Sequence, residues 1–175
     1  MFAPIITSMA NASFTQGLFS DSHKHAVVHP RIKKPPLNPL GIKSYRPISN
    51  LSLVSKTVER LVVNRMKYHA NRYGLFSVRQ SAYRQHHTTE MAVTIVNNDI
   101  VRSTDTGLVT ALVLLDLSAA FDTVDHGILL EVLTERFGLQ NLELDWFRSY
   151  HTGRTHTFTI PSGSSTPVTL TCMVQ

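Results

Sequence analysis

Three aspartates stand close together in the second half of the chain, Asp116, Asp122 and Asp125, and Asp116 directly follows the apolar run LVTALVLL at residues 108–115. A carboxylate at the end of a buried strand, opening into the small residues Ser118, Ala119 and Ala120, is a usual way to present a hard-cation site. Mg²⁺ is held by one or two carboxylates together with phosphate oxygens and water. The same residues also fit a plainly structural role, in which Asp116 ends a strand while Asp122 and Asp125 cap the next helix. A second set of residues carries the opposite charge. Lys33, Lys34 and Arg46 can grip phosphates, arginine through its planar fork and lysine as a point charge. Tyr45 and Tyr83 lie beside Arg46 and Arg84, the mixture with which a surface stacks bases and holds a backbone. A solvated charged face is the competing account. Against it stand the absence of any acid in residues 22–57 and the prolines 30, 35, 36 and 39, which hold that segment open.

The charge is divided unevenly along the chain. Of its 175 residues, 1–98 hold 13 Lys and Arg against 3 Asp and Glu, whereas 99–175 hold 4 against 9, for a formal net charge of +5. A basic half suggests a polyanionic partner, and an acidic cluster suggests a cation. Apolar residues at 42% and charged residues at 17% describe a globular chain rather than a disordered one. The length fits one domain. Cys172, the single cysteine, excludes an internal disulfide framework and multi-thiolate zinc, and points to a reducing compartment. The opening MFAPIITSMA lacks the basic region of a signal peptide, and residues 108–115 are too short to span a bilayer, so a soluble chain with no membrane partner is expected.

These residues need elements to position them. The uncharged first twenty residues fit a helix ending near Gly17. Residues 22–57 should be extended, with short strands and turns, and Ala26, Val27 and Val28 are the best strand candidate. Val54, Val58, Leu61, Val62, Met66, His69 and Tyr73 recur at helical steps until Gly74, making Met66 and its neighbours core. A loop at residues 75–87 carries Arg79, Gln80, Tyr83 and Arg84. His86 and His87 adjoin, but no third ligand at helical or hairpin spacing supports a metal site there. Thr88 or Thr89 caps a helix running towards Gly107, with Glu90 in its first turn. Residues 108–115 have the pattern of a central strand buried on both faces. Helices follow at residues 124–137 and 142–150, with Trp146 and Phe147 as core anchors. The end alternates as a hairpin, with strands at 155–160 and 166–171 around a turn at 161–165.

Taken in order, KSYRPISNLS at residues 43–52, Lys56 and Glu59, RQSAYR at 79–84, LLDLSAAFDTVDH at 114–126, WFRSY at 146–150 and TGR at 152–154 closely resemble the reverse transcriptases of non-LTR (LINE-like) retrotransposons. The resemblance covers the chain from about residue 11 onward. It implies an α+β fold, an incomplete right-hand polymerase with fingers and the first part of a palm. Residues 1–20 remain unassigned, about 21–88 correspond to fingers, about 89–126 to palm with motif A, and about 127–175 to helices and the terminal hairpin. Asp116 matches the aspartate that ligates both catalytic Mg²⁺ ions, and Leu117 the residue whose backbone carbonyl meets the nucleotide-side ion. Phe121 matches the aromatic gate that excludes a ribose 2′-OH. Arg46, with Lys33 or Lys34, matches residues that hold the incoming dNTP, and Arg79, Gln80 and Arg84 fall in the template-contacting stretch. RNA template, DNA primer and dNTP are the implied partners, in an intracellular setting that includes the nucleus.

The family continues with a CGVPQGS-like motif B and an ADD-type motif C, which supplies further metal-binding carboxylates. Here the residues read Thr171-Cys-Met-Val-Gln175, with Met173 where the family has Gly and Gln175 at or just past the expected Pro. No Asp-Asp pair follows motif A within the 175 residues. The expectation is therefore a polymerase fragment inactive by itself, with a non-catalytic nucleic-acid-binding remnant as the alternative.

Overall fold

The computed structural model describes residues 2–117, 120 and 123–170. In order, the elements are α1 (Ala3–Gln16), β1 (His25–Ile32), β2 (Tyr45–Asn50), α2 (Leu53–Arg72), α3 (Thr89–Asp105), α4 (His126–Glu135), α5 (Asn141–His151), β3 (Thr155–Ile160), β4 (Gly163–Ser164) and β5 (Val168–Thr169). The result is a mixed α/β architecture. The chain forms two compact units, Met1–His69 with Ala119–Gln175 in one and Ala70–Ser118 in the other.

In the first unit, α1 starts with Pro4 in its first turn, where a missing N–H is no loss. It stops at Gly17, whose φ of 62° is left-handed. A Cβ there would sit 3.0 Å from the Leu142 carbonyl oxygen of α5, so glycine serves both the turn and the close approach. Helix α1 then packs with α2 and α5 around Ala10, Phe19, Val58, Trp146 and Tyr150. The indole of Trp146 stacks on Tyr150 at 5.2 Å between centroids, and Phe19 meets both rings edge-on at 5.6 and 5.1 Å. Trp146 Nε1 donates to Ser13 Oγ at 2.9 Å, satisfying the polar atom that burial of an indole would otherwise strand.

The five-stranded sheet of this unit runs β2-β1-β3, with β4 and β5 taking successive stretches of β3. Strand β1 is antiparallel to β2 and parallel to β3. Ala26 and Val28 are buried while His25 and His29 are exposed, so alternation gives the sheet one covered and one open face. The terminal hairpin forms with a tighter turn than expected, since Ile160 already pairs with Gly163. Its return strand is interrupted before β5, where Phe158 N donates to Ser165 Oγ at 3.1 Å.

In the second unit, Thr88 caps α3 by accepting from Met91 N at 3.2 Å. The expected buried strand at residues 108–115 is not formed. That run has no regular secondary structure and no ladder, and Val109 is 100% exposed. A strand apolar on both faces needs neighbouring strands and covering layers, and the described residues of this unit supply only helix and turn.

Helix α5 ends in His151, a buried imidazole whose Nδ1 has no hydrogen-bond partner. Burial pushes its pKa down to about 4, and the nearby His126 and Arg154 act in the same direction. Unfolded, the ring takes up its proton near pH 6.5. Between these values the unfolded state binds more protons, so this group's contribution to stability is full above about pH 6.5 and is lost as pH falls towards about 4. Urea midpoints should show the wild type losing about 1 kcal/mol more than His151→Leu on going from pH 7.5 to 5.5. Parallel pH profiles for the two proteins would contradict this.

Candidate nucleic-acid interface

The basic segment is shaped by its own short-range hydrogen bonds. Between β1 and β2, Asn38 Oδ1 accepts from Leu40 N and Tyr45 OH donates to the Pro39 carbonyl, both at 2.9 Å. These local bonds suit a proline-rich connection that has few backbone donors. Lys33 closes it, its backbone N–H donating to Ser44 O and its ammonium to Lys43 O, each at 2.9 Å. Lys34 and Arg46 stay exposed. The register sets Arg31 directly opposite Arg46 and His29 opposite Ile48. On the other side, His25 pairs with Thr155 and Val27 with Thr157. The open face thus presents Arg46, Arg31, His29 and His25 followed by threonines, with His25 Nδ1 2.9 Å from Thr155 Oγ1. The structure therefore brings the expected Lys33, Lys34 and Arg46 into one hairpin.

What anchors the sheet beneath that hairpin is Glu59, the one acid in residues 22–89. Its Oε1 accepts from Tyr150 OH at 2.8 Å and from Ser55 Oγ at 3.1 Å, and lies 4.0 Å from Arg154 Nη2. Arg154 is 2% exposed, with its guanidinium 4.4 Å over the Tyr150 ring. Burial pushes the Tyr150 hydroxyl well above its ordinary range, opposed by Arg154 and reinforced by Glu59. The phenol therefore stays a donor. In the sequence, Glu59 stood out only with Lys56 in the family match, and Arg154 only as part of the TGR match; neither signal revealed their meeting.

The remaining expected site residues belong to the second unit or lie outside the described residues. Arg84 turns onto its own loop, donating from Nη1 to Ser77 O at 3.1 Å with its guanidinium 5.8 Å over Phe76. Gln80 Nε2 donates to Ala82 O at 3.1 Å, while Arg79 is exposed. Tyr83 is exposed with a φ of 61°. Asp116 and Leu117 are exposed on this irregular run, not at the end of a formed strand. Phe121, Asp122 and Cys172 lie outside the described residues. Asp125 is a helix cap, its Oδ1 accepting from Ile128 N at 3.0 Å.

For divalent ions the fit is incomplete. Among the described residues no group of three or more His, Cys, Asp or Glu side chains is arranged to hold a metal. One carboxylate on an exposed segment does not hold two Mg²⁺ ions, which in two-metal sites sit about 3.5–4 Å apart. Among the described residues no helix is long and apolar enough to cross a membrane.

Residues 32–172 match the family described as Reverse transcriptase (RNA-dependent DNA polymerase). Over 95 residues the chain is 34% identical to the Probable RNA-directed DNA polymerase from transposon BS of Drosophila melanogaster. That stretch covers 54% of this chain and 10% of the length of that relative.

Removing the Glu59 carboxylate leaves a buried guanidinium without its carboxylate and a buried phenol without its acceptor. Glu59→Ala should cost about 3–5 kcal/mol in urea unfolding, the usual cost of breaking a buried pair. Glu59→Gln, which keeps an acceptor for Tyr150 and Ser55, should lose clearly less. Equal losses would show that the hydrogen bonds contribute nothing beyond the charge.

Proposed function

The chain belongs to the reverse transcriptase family, as a domain of the non-LTR retrotransposon type, and from that membership we propose that it is the fingers and motif A portion of an RNA-directed DNA polymerase. The observation that carries this reading is the acid-free hairpin holding Lys33, Lys34 and Arg46 together in a stretch of the family match. Such cations offset the negative charge of a triphosphate and of the pyrophosphate that leaves it, the main electrostatic demand of nucleotidyl transfer. Arg79 is free to approach a template strand, whereas Arg84 and Gln80 shape the loop that carries it. Phe121 takes the place of the sugar gate by resemblance. RNA template, DNA primer and dNTP are the partners this reading assigns.

By resemblance, Asp116 and Leu117 would contribute one carboxylate and one carbonyl towards a metal centre, and the described residues bring no further ligands to them. As a polypeptide of this length the chain binds nucleic acid and does not extend a primer. The non-catalytic reading, a nucleic-acid-binding remnant, draws on the same observation that no metal cluster forms among the described residues.

Fluorescence anisotropy with a labelled oligonucleotide, at several salt concentrations, tests both readings. Affinity should fall with salt, and Arg46→Ala should weaken binding about tenfold while flattening the log–log salt slope by about 0.7, the value for one lost contact on a single strand. Asp116→Ala should leave binding unchanged. Absence of binding at low salt would overturn both readings. In a primer-extension assay with Mg²⁺ or Mn²⁺ the 175-residue chain should incorporate no nucleotide, and templated extension would contradict the assignment of an incomplete metal centre.

A further inference from the structure

We propose that Arg31 and Arg46 together form a two-arginine clamp for a phosphoryl group on the open face of the sheet, with Arg31 as a ligand equal in weight to Arg46. This rests on the reading of the chain as a polymerase portion and extends it to a residue that the family motifs do not single out.

Arg31 and Arg46 are direct cross-strand partners in the antiparallel β1–β2 pair, and both are exposed. Directly opposed side chains lie about 5 Å apart at Cβ, close enough for like charges to repel and destabilise the pair. Edge strands often carry isolated cations to deter pairing, but a facing pair of arginines exceeds that need. Compensation is missing as well. Neither arginine takes part in the ion pairs that join Lys24 to Asp21, Arg148 to Asp145 and Arg154 to Glu59, and residues 22–57 contain no acid. The hydrogen bonds among the described residues likewise occupy Lys33 and Tyr45 but neither arginine fork.

Two uncompensated guanidinium forks at this separation suit an anion with several oxygens in one plane or tetrahedron, which each fork meets through two N–H donors. Binding such an anion turns the repulsion into two attractions. The face continues through His29 and His25, which stand two and six residues from Arg31 with Val27 between them, towards Thr155 and Thr157. Same-face residues on a strand recur every ~6.6 Å, so a chain of phosphates lying along β1 would meet side chains with N–H groups at Arg31, His29 and His25, interrupted by the apolar Val27. The shared chemistry is the phosphoryl group, supplied either by a nucleoside triphosphate or by the backbone of a nucleic-acid strand.

The test uses the full 175-residue chain in EDTA, so that no metal takes part, with dATP and a twelve-residue oligothymidylate as separate probes. Arg31→Gln should weaken binding of at least one probe about 10- to 100-fold, the usual effect of losing a charge-assisted hydrogen-bonding group. Loss confined to dATP assigns the clamp to a triphosphate, and loss confined to the oligonucleotide assigns it to a strand. Arg31→Lys should restore part of the affinity. Arg31→Glu should abolish binding and, by pairing with Arg46, raise the melting temperature at low salt by about 1–4 °C. A merely structural arginine would lower it. If Arg46→Ala weakens both probes while Arg31→Gln weakens neither, the clamp is overturned and the polymerase reading stands. If neither probe binds the wild type, that reading falls with it.

Discussion

The Glu59 carboxylate is the point at which α2, α5 and the start of β3 are tied together. One oxygen receives the hydroxyls of Tyr150 and Ser55 and faces the guanidinium of Arg154, which is itself laid over the Tyr150 ring. A buried arginine is tolerated only with a carboxylate and further hydrogen bonds to offset desolvation. Tyr150 in turn belongs to the aromatic cluster with Phe19 and Trp146, so charge pairing and ring packing fix the same helix. Arg154 immediately precedes β3, and Leu170 N donates to its carbonyl at 2.9 Å. The sheet therefore has its position set from within, and β1 and β2 can carry an uncompensated basic face.

That arrangement separates two kinds of cation in one unit. Lys24 and Arg154 are buried and paired with acids, Lys24 locally with the exposed Asp21 and Arg154 across the fold with Glu59. Arg31, Lys34 and Arg46 are exposed and lack acidic neighbours in sequence, and they remain available to a ligand. Lys33 stands between the groups, since its ammonium closes the hairpin on Lys43 O while the residue stays exposed. On the proposed reading, the chemistry of this surface is recognition of phosphate, with affinity governed by salt.

Local patterns made much of this legible. Helix α2 followed from its three- and four-residue apolar steps, α3 from its threonine cap, and the terminal hairpin from alternation around Pro161. The fate of residues 108–115 was not legible, because an apolar run states that a strand requires cover on both faces without stating which strands provide it. Among the described residues Asp116 joins no metal-binding cluster, and the sequence could not have foretold its partners for a related reason. Ligands of a two-metal centre come from distant segments, and one aspartate carries no information about whether the others arrive. The cross-strand pairing of Arg31 with Arg46 was equally hidden, since it depends on register across a turn of irregular length. Motif matching supplied the identity of the family, which periodicity alone could not.

The most direct test of where phosphate is recognised is a ¹⁵N amide titration of the 175-residue chain with a short oligonucleotide at low salt. Shifts should concentrate at Arg31, Lys33, Lys34, Lys43 and Arg46, while the amides of α5 around Trp146 stay still. Saturating binding that leaves the β1–β2 hairpin unmoved would contradict the account.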